Sequence, residues 1–225
     1  MSTRSDYPAA ARKIAIVGGL TPDLERIVAL APDLVLATTE GNSRTGVEIL
    51  ARRGIPVLTT SAPDLRGVID SIRKIALRVG EADAGERLAR SLEERRRAVL
   101  QRARRPKSPG VALLVWPSPP QAAGAETFAD DILRTAGARN CIARRGWPVV
   151  SPEYLLLAPC DAVVYPAERD TAAVFADAFR RGPLSRMAAV RAGRVIGVEA
   201  DLLTRPGPRA FDALERLASE IGKIP

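Results

Sequence analysis

Hydrophobic and polar positions along the chain alternate between two patterns. Leu34-Val35-Leu36-Ala37, Pro56-Val57-Leu58, Gly110-Val111-Ala112-Leu113-Leu114-Val115-Trp116 and Asp161-Ala162-Val163-Val164-Tyr165 are short, nearly continuous apolar runs. Runs of this kind suit strands buried on both faces, as in a parallel sheet. The stretch 194–198 predicts one more. Between the runs, apolar residues recur every three or four positions and predict helices over 23–30, 44–53, 64–79, 126–136, 151–157, 171–180, 183–190 and 209–221. Thr21 is the expected N-cap of the first, with Pro22 at its first helical position, and Gly54, Gly80 and Gly137 close later ones. Strands alternating with helices imply right-handed crossovers and a parallel sheet.

The longest uninterrupted helical stretch is 82–105, with no proline and a single glycine. Leu88, Leu92, Val99 and Ala103 recur along one narrow stripe, widened by Ala89 and Leu100. At ~1.5 Å per residue such a helix spans roughly 35 Å. The expected architecture is therefore α/β: two small lobes with mainly parallel sheets, joined by one long rigid helix. The expected division is a lobe over 1–81, a helix over 82–106 and a lobe over 107–225.

The loop 38–43 follows an apolar strand, at the carboxyl end where ligands collect in open α/β sheets. Trp116 ends another strand before Pro117-Ser118-Pro119-Pro120, Trp147 tips the loop 144–148, and 199–208 reads as a loop. For both tryptophans, core packing and lining of a cleft are open readings. The Gly18-Gly19 pair lacks the third glycine and the strand–turn–helix context of a dinucleotide fingerprint.

Composition narrows the chemistry. The 225 residues are 46% hydrophobic and 27% charged, and no run of about 18 apolar residues is present. The start, MSTRSDYPAAARK, has no apolar core of the kind a secretory signal needs, and read alone it implies a cytoplasmic chain. The net charge is +8, but residues 82–107 hold nine basic and four acidic residues, so one helix carries most of the excess. With 4% aromatic residues and no nucleic-acid motif, this is a solvated helix face rather than a nucleic-acid stripe. There is no histidine, which removes His-dependent triads and ordinary zinc sites. Cys141 and Cys160 lack metal-ligand spacing; they pair or serve as small buried hydrophobes.

The chain also echoes itself. Thr21-Pro22-Asp23-Leu24-Glu25, an apolar helix and Ala31-Pro32-Asp33 before a strand correspond to Ser151-Pro152-Glu153, an apolar helix and Ala158-Pro159-Cys160-Asp161 before a strand. Glu25 and Glu153 thus form a candidate pair, one acid per lobe, with Asp23 competing for Glu25's place. The alternative is that both are first-turn acids that complement the helix dipole, worth ~0.3–1 kcal/mol each.

The runs VGGLTPDLERIVALAPDLVLA (17–37), GIPV (54–57), the long helix, GWPVVSPEYLL (146–156) and ADLLTRPGPR (200–209) resemble the periplasmic substrate-binding proteins of ABC importers for cobalamin, haem and iron–siderophores. The resemblance covers nearly the whole chain from about residue 6. It implies the class III, helical-backbone architecture, with a small-molecule metal chelate held between the lobes. It further implies that Glu25 and Glu153 dock to arginines of the membrane permease, that Trp147 and, less closely matched, Trp116 line the cleft, and that Asp201 and Arg205 form a polar pair near the ligand. Apart from the resemblance, Asp201 and Arg205 read as an exposed pair worth ~0–1 kcal/mol.

Two departures qualify the match. Gly19 and Thr38 stand where cobalamin-binding members carry tryptophans. The chain also begins where the family's first strand–helix unit ends, so a misplaced start or truncated gene is expected, with the export signal upstream. The implied protein is a periplasmic, monomeric solute-binding component with no catalysis, no resident cofactor or metal and no nucleic-acid partner. The rival is a cytoplasmic α/β enzyme or binding protein that uses the same cleft.

Overall fold

The structure is a computed structural model that describes residues 1–3, 5, 7–19 and 21–225, residue 169 by its backbone alone. A 3-10 turn over Ala9–Lys13 leads into an extended segment that bends at Gly18, with φ +118°. A Cβ there would fall 2.7–2.9 Å from the backbone of Thr21, Pro22 and Asp23, so this glycine permits a close crossing of the chain. Gly18 and Pro22 form an antiparallel bridge, which places the helix start beyond Pro22. Helix α1, Leu24–Ala29, is accordingly capped by Asp23, which accepts from Arg26 N at 3.0 Å. The expected cap, Thr21, lies outside it.

Strand β1, Val35–Thr38, is followed by helix α2, Arg44–Arg52, with Ser43 as its cap, and by strand β2, Val57–Thr60. The two strands pair in parallel, Val35 beside Val57 and Thr38 beside Thr60. Helix α3, Leu65–Arg78, starts on Asp64, whose carboxylate accepts from Gly67 N at 2.7 Å.

Helix α4 runs unbroken over Ala82–Arg102, about 31 Å at ~1.5 Å per residue. Its buried positions are Gly85, Ala89, Leu92 and Val99. Leu88 and Leu100, assigned to the stripe from periodicity, are 40% and 37% exposed. The stripe is turned because α3 crosses at Gly85, where a Cβ would lie 2.1 Å from the Ala76 Cβ. A contact that close selects small residues over leucine. The helix stops before 105 because Arg105 turns aside to donate to the Ile221 and Ile224 carbonyls, each at 3.1 Å.

The second lobe begins with β3, Gly110–Pro117, and turns through a cis Ser118–Pro119 bond into β4, Pro120–Ala122. There follow α5, Phe128–Thr135; β5, Arg139–Asn140; α6, Pro152–Leu157; β6, Ala162–Pro166; and α7, Arg169–Arg180. A 3-10 turn, Pro183–Arg186, precedes α8, Ala188–Arg191; then come β7, Val195–Val198; α9, Ala200–Thr204; and α10, Ala210–Gly222. The sheet order is β4-β3-β6-β7, with β5 pairing to β3 and only β4 antiparallel.

Both faces of this sheet are covered, which explains the uninterrupted apolar run of β3. Val111 and Leu113 join α4, α5 and α10, while Ala112 and Leu114 join Leu155, Phe175 and Met187 on the other side. Three expectations are corrected. The loop expected over 199–208 contains α9, the helix expected from 126 starts at Phe128 because Thr127 caps it, and the helix expected over 183–190 splits at Met187.

The larger core does not stop at α4. Leu65, Val68 and Ile69 of α3 belong to the same cluster, and Leu65 N donates to Asp131 of α5 at 2.9 Å. The two-stranded sheet carries its own flanking helices α1 and α2, while α3 is packed into the body of the second lobe.

Candidate functional site

The carboxyl ends of β1 and β2 are tied together by Glu40, which accepts from Ser61 Oγ at 2.6 Å and Ala62 N at 3.0 Å. Partial burial pushes the Glu40 carboxyl up, but the bonds from Ser61 and neighbouring backbone outweigh it and hold it below its ordinary range. Thr38 Oγ1 accepts from Gly41 N, and Asn42 Oδ1 accepts from Thr38 N, closing the loop back on the strand. This fixed loop forms one end of a cavity of about 1340 Å³. Apolar β1 side chains such as Val35 and Leu36 also line it, as do Arg205 and Arg209 of the second lobe.

The second-lobe contribution is organised by α9. The Glu168 carboxylate accepts from Ala200 N and so fixes the first turn of α9 to the end of β6. The next residue, Asp201, places its Oδ1 2.8 Å from Nε of Arg205, one turn on, and its other oxygen lies 3.9 Å from Arg209 Nη2. Arg209 also stacks over the Tyr7 ring, 4.1 Å from its centroid. Asp201 thus lies between two guanidinium groups, whose planar donors suit an anionic or carbonyl-rich part of a ligand. Arg209 and Tyr7 escaped sequence reasoning. The spacing Asp201, Arg205, Arg209 was visible, but nothing local ties residue 7 to residue 209.

Trp116 and Trp147 lie elsewhere on the second lobe, flanking the β3–β4 hairpin. Trp116 pairs with Gln121, whose Nε2 donates to the Trp147 carbonyl at 3.4 Å, and the Trp116 indole donates to Ser118 O at 3.0 Å. The rings are 42% and 41% exposed, and beside them Val149 is 56% exposed, so neither tryptophan is a core residue. The Trp147 loop is held firmly. Gly124 N donates to Gly146 O at 2.8 Å and Ala125 N to Arg144 O at 2.8 Å. A Cβ on Gly124 would fall 1.8 Å from the Arg144 carbonyl, so only glycine lets the loop approach this closely. The cavity wall includes Arg205 but neither tryptophan nor Asp201, which is joined to it through its pair with Arg205.

Glu25 and Glu153 occupy the second helical position of α1 and α6, and both are exposed. Their helices are capped alike, Asp23 accepting from Arg26 N and Ser151 from Tyr154 N. The Glu153 carboxyl is held below its ordinary range by its own backbone N–H and by Ser151.

A family described as "Periplasmic binding protein" matches residues 2–202. The uncharacterized ABC transporter substrate-binding lipoprotein YvrC of Bacillus subtilis (strain 168) is 30% identical over 230 residues, 98% of this chain and 72% of that one. The vitamin B12-binding protein of Pectobacterium atrosepticum is 28% identical over 232 residues, all of this chain and 80% of that one. Among solved structures, a periplasmic haem-binding protein from Pseudomonas aeruginosa superposes with a TM-score of 0.84 at 27% identity, over 98% of this chain and 84% of that one.

Proposed function

The chain belongs to the periplasmic binding protein family, and from that membership we propose that it is the solute-binding component of an ABC importer. It captures a metal chelate, a cobalamin-like corrinoid, haem or ferric siderophore, and delivers it to a membrane permease. In this reading residues 1–81 and 107–225 form the two walls and the helix over 82–106 spaces them. The chain works in the periplasm as a monomer, without catalysis and without a nucleic-acid partner.

The observation that carries the reading is the cavity of about 1340 Å³ lined by β1 and its neighbours in the first lobe and by the α9–α10 junction of the second. Pockets for ordinary small molecules occupy roughly 300–1,000 Å³. The larger volume suits a macrocycle or bulky chelate better than an amino acid or a sugar. Arg205, held by Asp201, orients the polar edge of the ligand, and Trp147 and Trp116, on the second lobe outside the cavity wall, offer exposed ring surface to a ligand that extends past it. The names of relatives that bind vitamin B12 and haem support the same ligand class. Glu25 and Glu153, matched in helical position, exposure and capping, present one carboxylate per lobe to cationic side chains of the permease.

Native mass spectrometry of the full chain with cyanocobalamin, haemin and a ferric siderophore tests the ligand class. A one-to-one adduct with one of the three is expected, and no adduct with any of them removes the chelate reading. In a fluorescence titration with the ligand so found, Trp147→Ala is expected to weaken binding about tenfold or more, as for aromatic anchors that a partner covers. Unchanged affinity would relocate the site.

A further inference from the structure

The second lobe buries both cysteines of the chain in one apolar cluster, away from the cavity. Cys141 is 7% exposed and Cys160 8%. They approach from opposite sides of β3. Cys141 directly follows β5, and its N–H donates to Val111 O at 3.0 Å; Cys160 precedes β6, and the next residue, Asp161, donates its N–H to Gly110 O at 2.6 Å. Gly110 lies between them. A Cβ at that position would fall 2.2 Å from Pro159 O and 3.0 Å from Cys141 Sγ. Without one, Cys141 Sγ reaches across β3 and donates to Pro159 O at 3.4 Å, the carbonyl of the peptide bond that leads into Cys160. The Cys141 sulfur therefore crosses a strand position that has no side chain and reaches the peptide bond of Cys160.

We propose that Cys141 and Cys160 are a redox pair that closes into an intramolecular disulfide in an oxidising compartment, stapling the segment 142–159 at its base. That segment carries Trp147 and Glu153. The staple would fix the ends of one loop that offers both a ligand-contacting ring and a docking carboxylate; this consequence rests on the proposed function, whereas the disulfide itself does not.

The chemistry is thiol–disulfide exchange with a disulfide-bearing oxidant. One cysteine thiolate attacks the oxidant, expelling one thiol and leaving a mixed disulfide; the second cysteine attacks that, forming the Cys141–Cys160 bond and expelling the other thiol. The protein loses two hydrogens and the oxidant gains two. Hydrogen bonding with Cys160, and then burial, push the Cys141 thiol above its ordinary range, so exchange is expected to accelerate as the pH rises. Closing a loop of about 20 residues restricts the unfolded chain rather than the folded one, so the oxidised form should unfold at higher temperature, by about 5–12 °C.

The test treats the reduced, folded full chain with glutathione disulfide at alkaline pH and then counts free thiols in denaturant. The expected result is two thiols before and none after, an intact mass lower by two hydrogens, one proteolytic cross-link joining Cys141 to Cys160, and the rise in Tm. Two thiols that still titrate, separate glutathione adducts on each cysteine, or disulfide-linked chain dimers would each overturn the pairing. Cys141→Ser and Cys160→Ser each leave one thiol, and the oxidation-dependent rise in Tm should vanish in both; its survival in either refutes the staple. None of these readouts needs a ligand, so they judge the disulfide whatever the chain captures, while the chelate adducts judge the function.

Discussion

At Gly85 two tendencies compete and their sizes decide the outcome. Alanine in a helix interior is favoured over glycine by ~1 kcal/mol, but a Cβ here would lie 2.1 Å from that of Ala76, and overpacking of this kind costs ~1–3 kcal/mol. Gly85→Ala is therefore expected to lower Tm by a few degrees, and Gly85→Leu by more; an unchanged or raised Tm for the alanine variant would mean that α3 and α4 separate freely. The exposed glutamates make the opposite case. Glu25→Gln and Glu153→Gln touch no core, so each should leave ligand affinity unchanged, while the double variant should reduce stimulation of permease ATPase in proteoliposomes about tenfold or more. Full stimulation by the double variant would remove the docking role. The two helix starts were legible from the echo between Thr21-Pro22-Asp23-Leu24-Glu25 and Ser151-Pro152-Glu153, because a capped first turn is a local pattern, although the first cap is Asp23 and not Thr21. The stacking of Arg209 on Tyr7 was not legible, since it joins residues that meet only when the lobes pack.

Helix α4 is held between its neighbours by two arginines of opposite attachment. Arg73 of α3 reaches Glu86 at 2.8 Å and Glu93 at 2.9 Å, and Arg95 of α4 reaches Asp212 at 2.6 Å and Glu215 at 2.8 Å on α10. Arg73 first, and then Arg90, lower the Glu86 pKa to about 2, and Arg95 lowers that of Glu215. A carboxylate whose folded pKa lies below its unfolded value adds stability above the unfolded value and loses it as the pH falls through the folded one. The stability that Glu86 draws from Arg73 should thus be complete above about pH 5 and fade toward pH 2. Tm measured from pH 6 to 2.5 is expected to fall more steeply for the natural chain than for Arg73→Met, and parallel curves would show that the clamp is only geometric. Periodicity revealed α4 and three of its buried positions, Ala89, Leu92 and Val99, but added Leu88 and Leu100, which stay exposed, and passed over Gly85. Hydrophobicity measures what a residue gains by burial, whereas a close helix crossing selects for small size. The strands β4 and β5 and the helix α9 were missed because they are two to five residues long and owe their geometry to pairing with β3 or capping by Glu168 rather than to any pattern of their own.

For the molecule as a whole, the question is how far the lobes can move. The amphipathic stripe of α3 announced that the helix buries one face, but a stripe does not say against what. Leu65, Val68 and Ile69 in fact enter the core that continues through α4 into α5 and α10, and the Leu65 N–H is held by Asp131 across the boundary. A rotation of the first lobe that carried α3 along would open that core, so motion is confined to the two-stranded sheet with α1 and α2, turning against α3. Small displacements of packed elements, rather than a wide hinge, follow from such a connection. A compact chain of this length has a radius of gyration of about 17 Å, and binding of the chelate should change the value measured by solution scattering by no more than about 3% of it. Amide exchange should report the same restriction, with protection rising at the end of β1 and in the 38–43 loop while α4 and α3 stay as protected as before. A larger contraction, or loss of protection along α4 on binding, would mean that the long helix bends and that the shared core is not the element limiting closure.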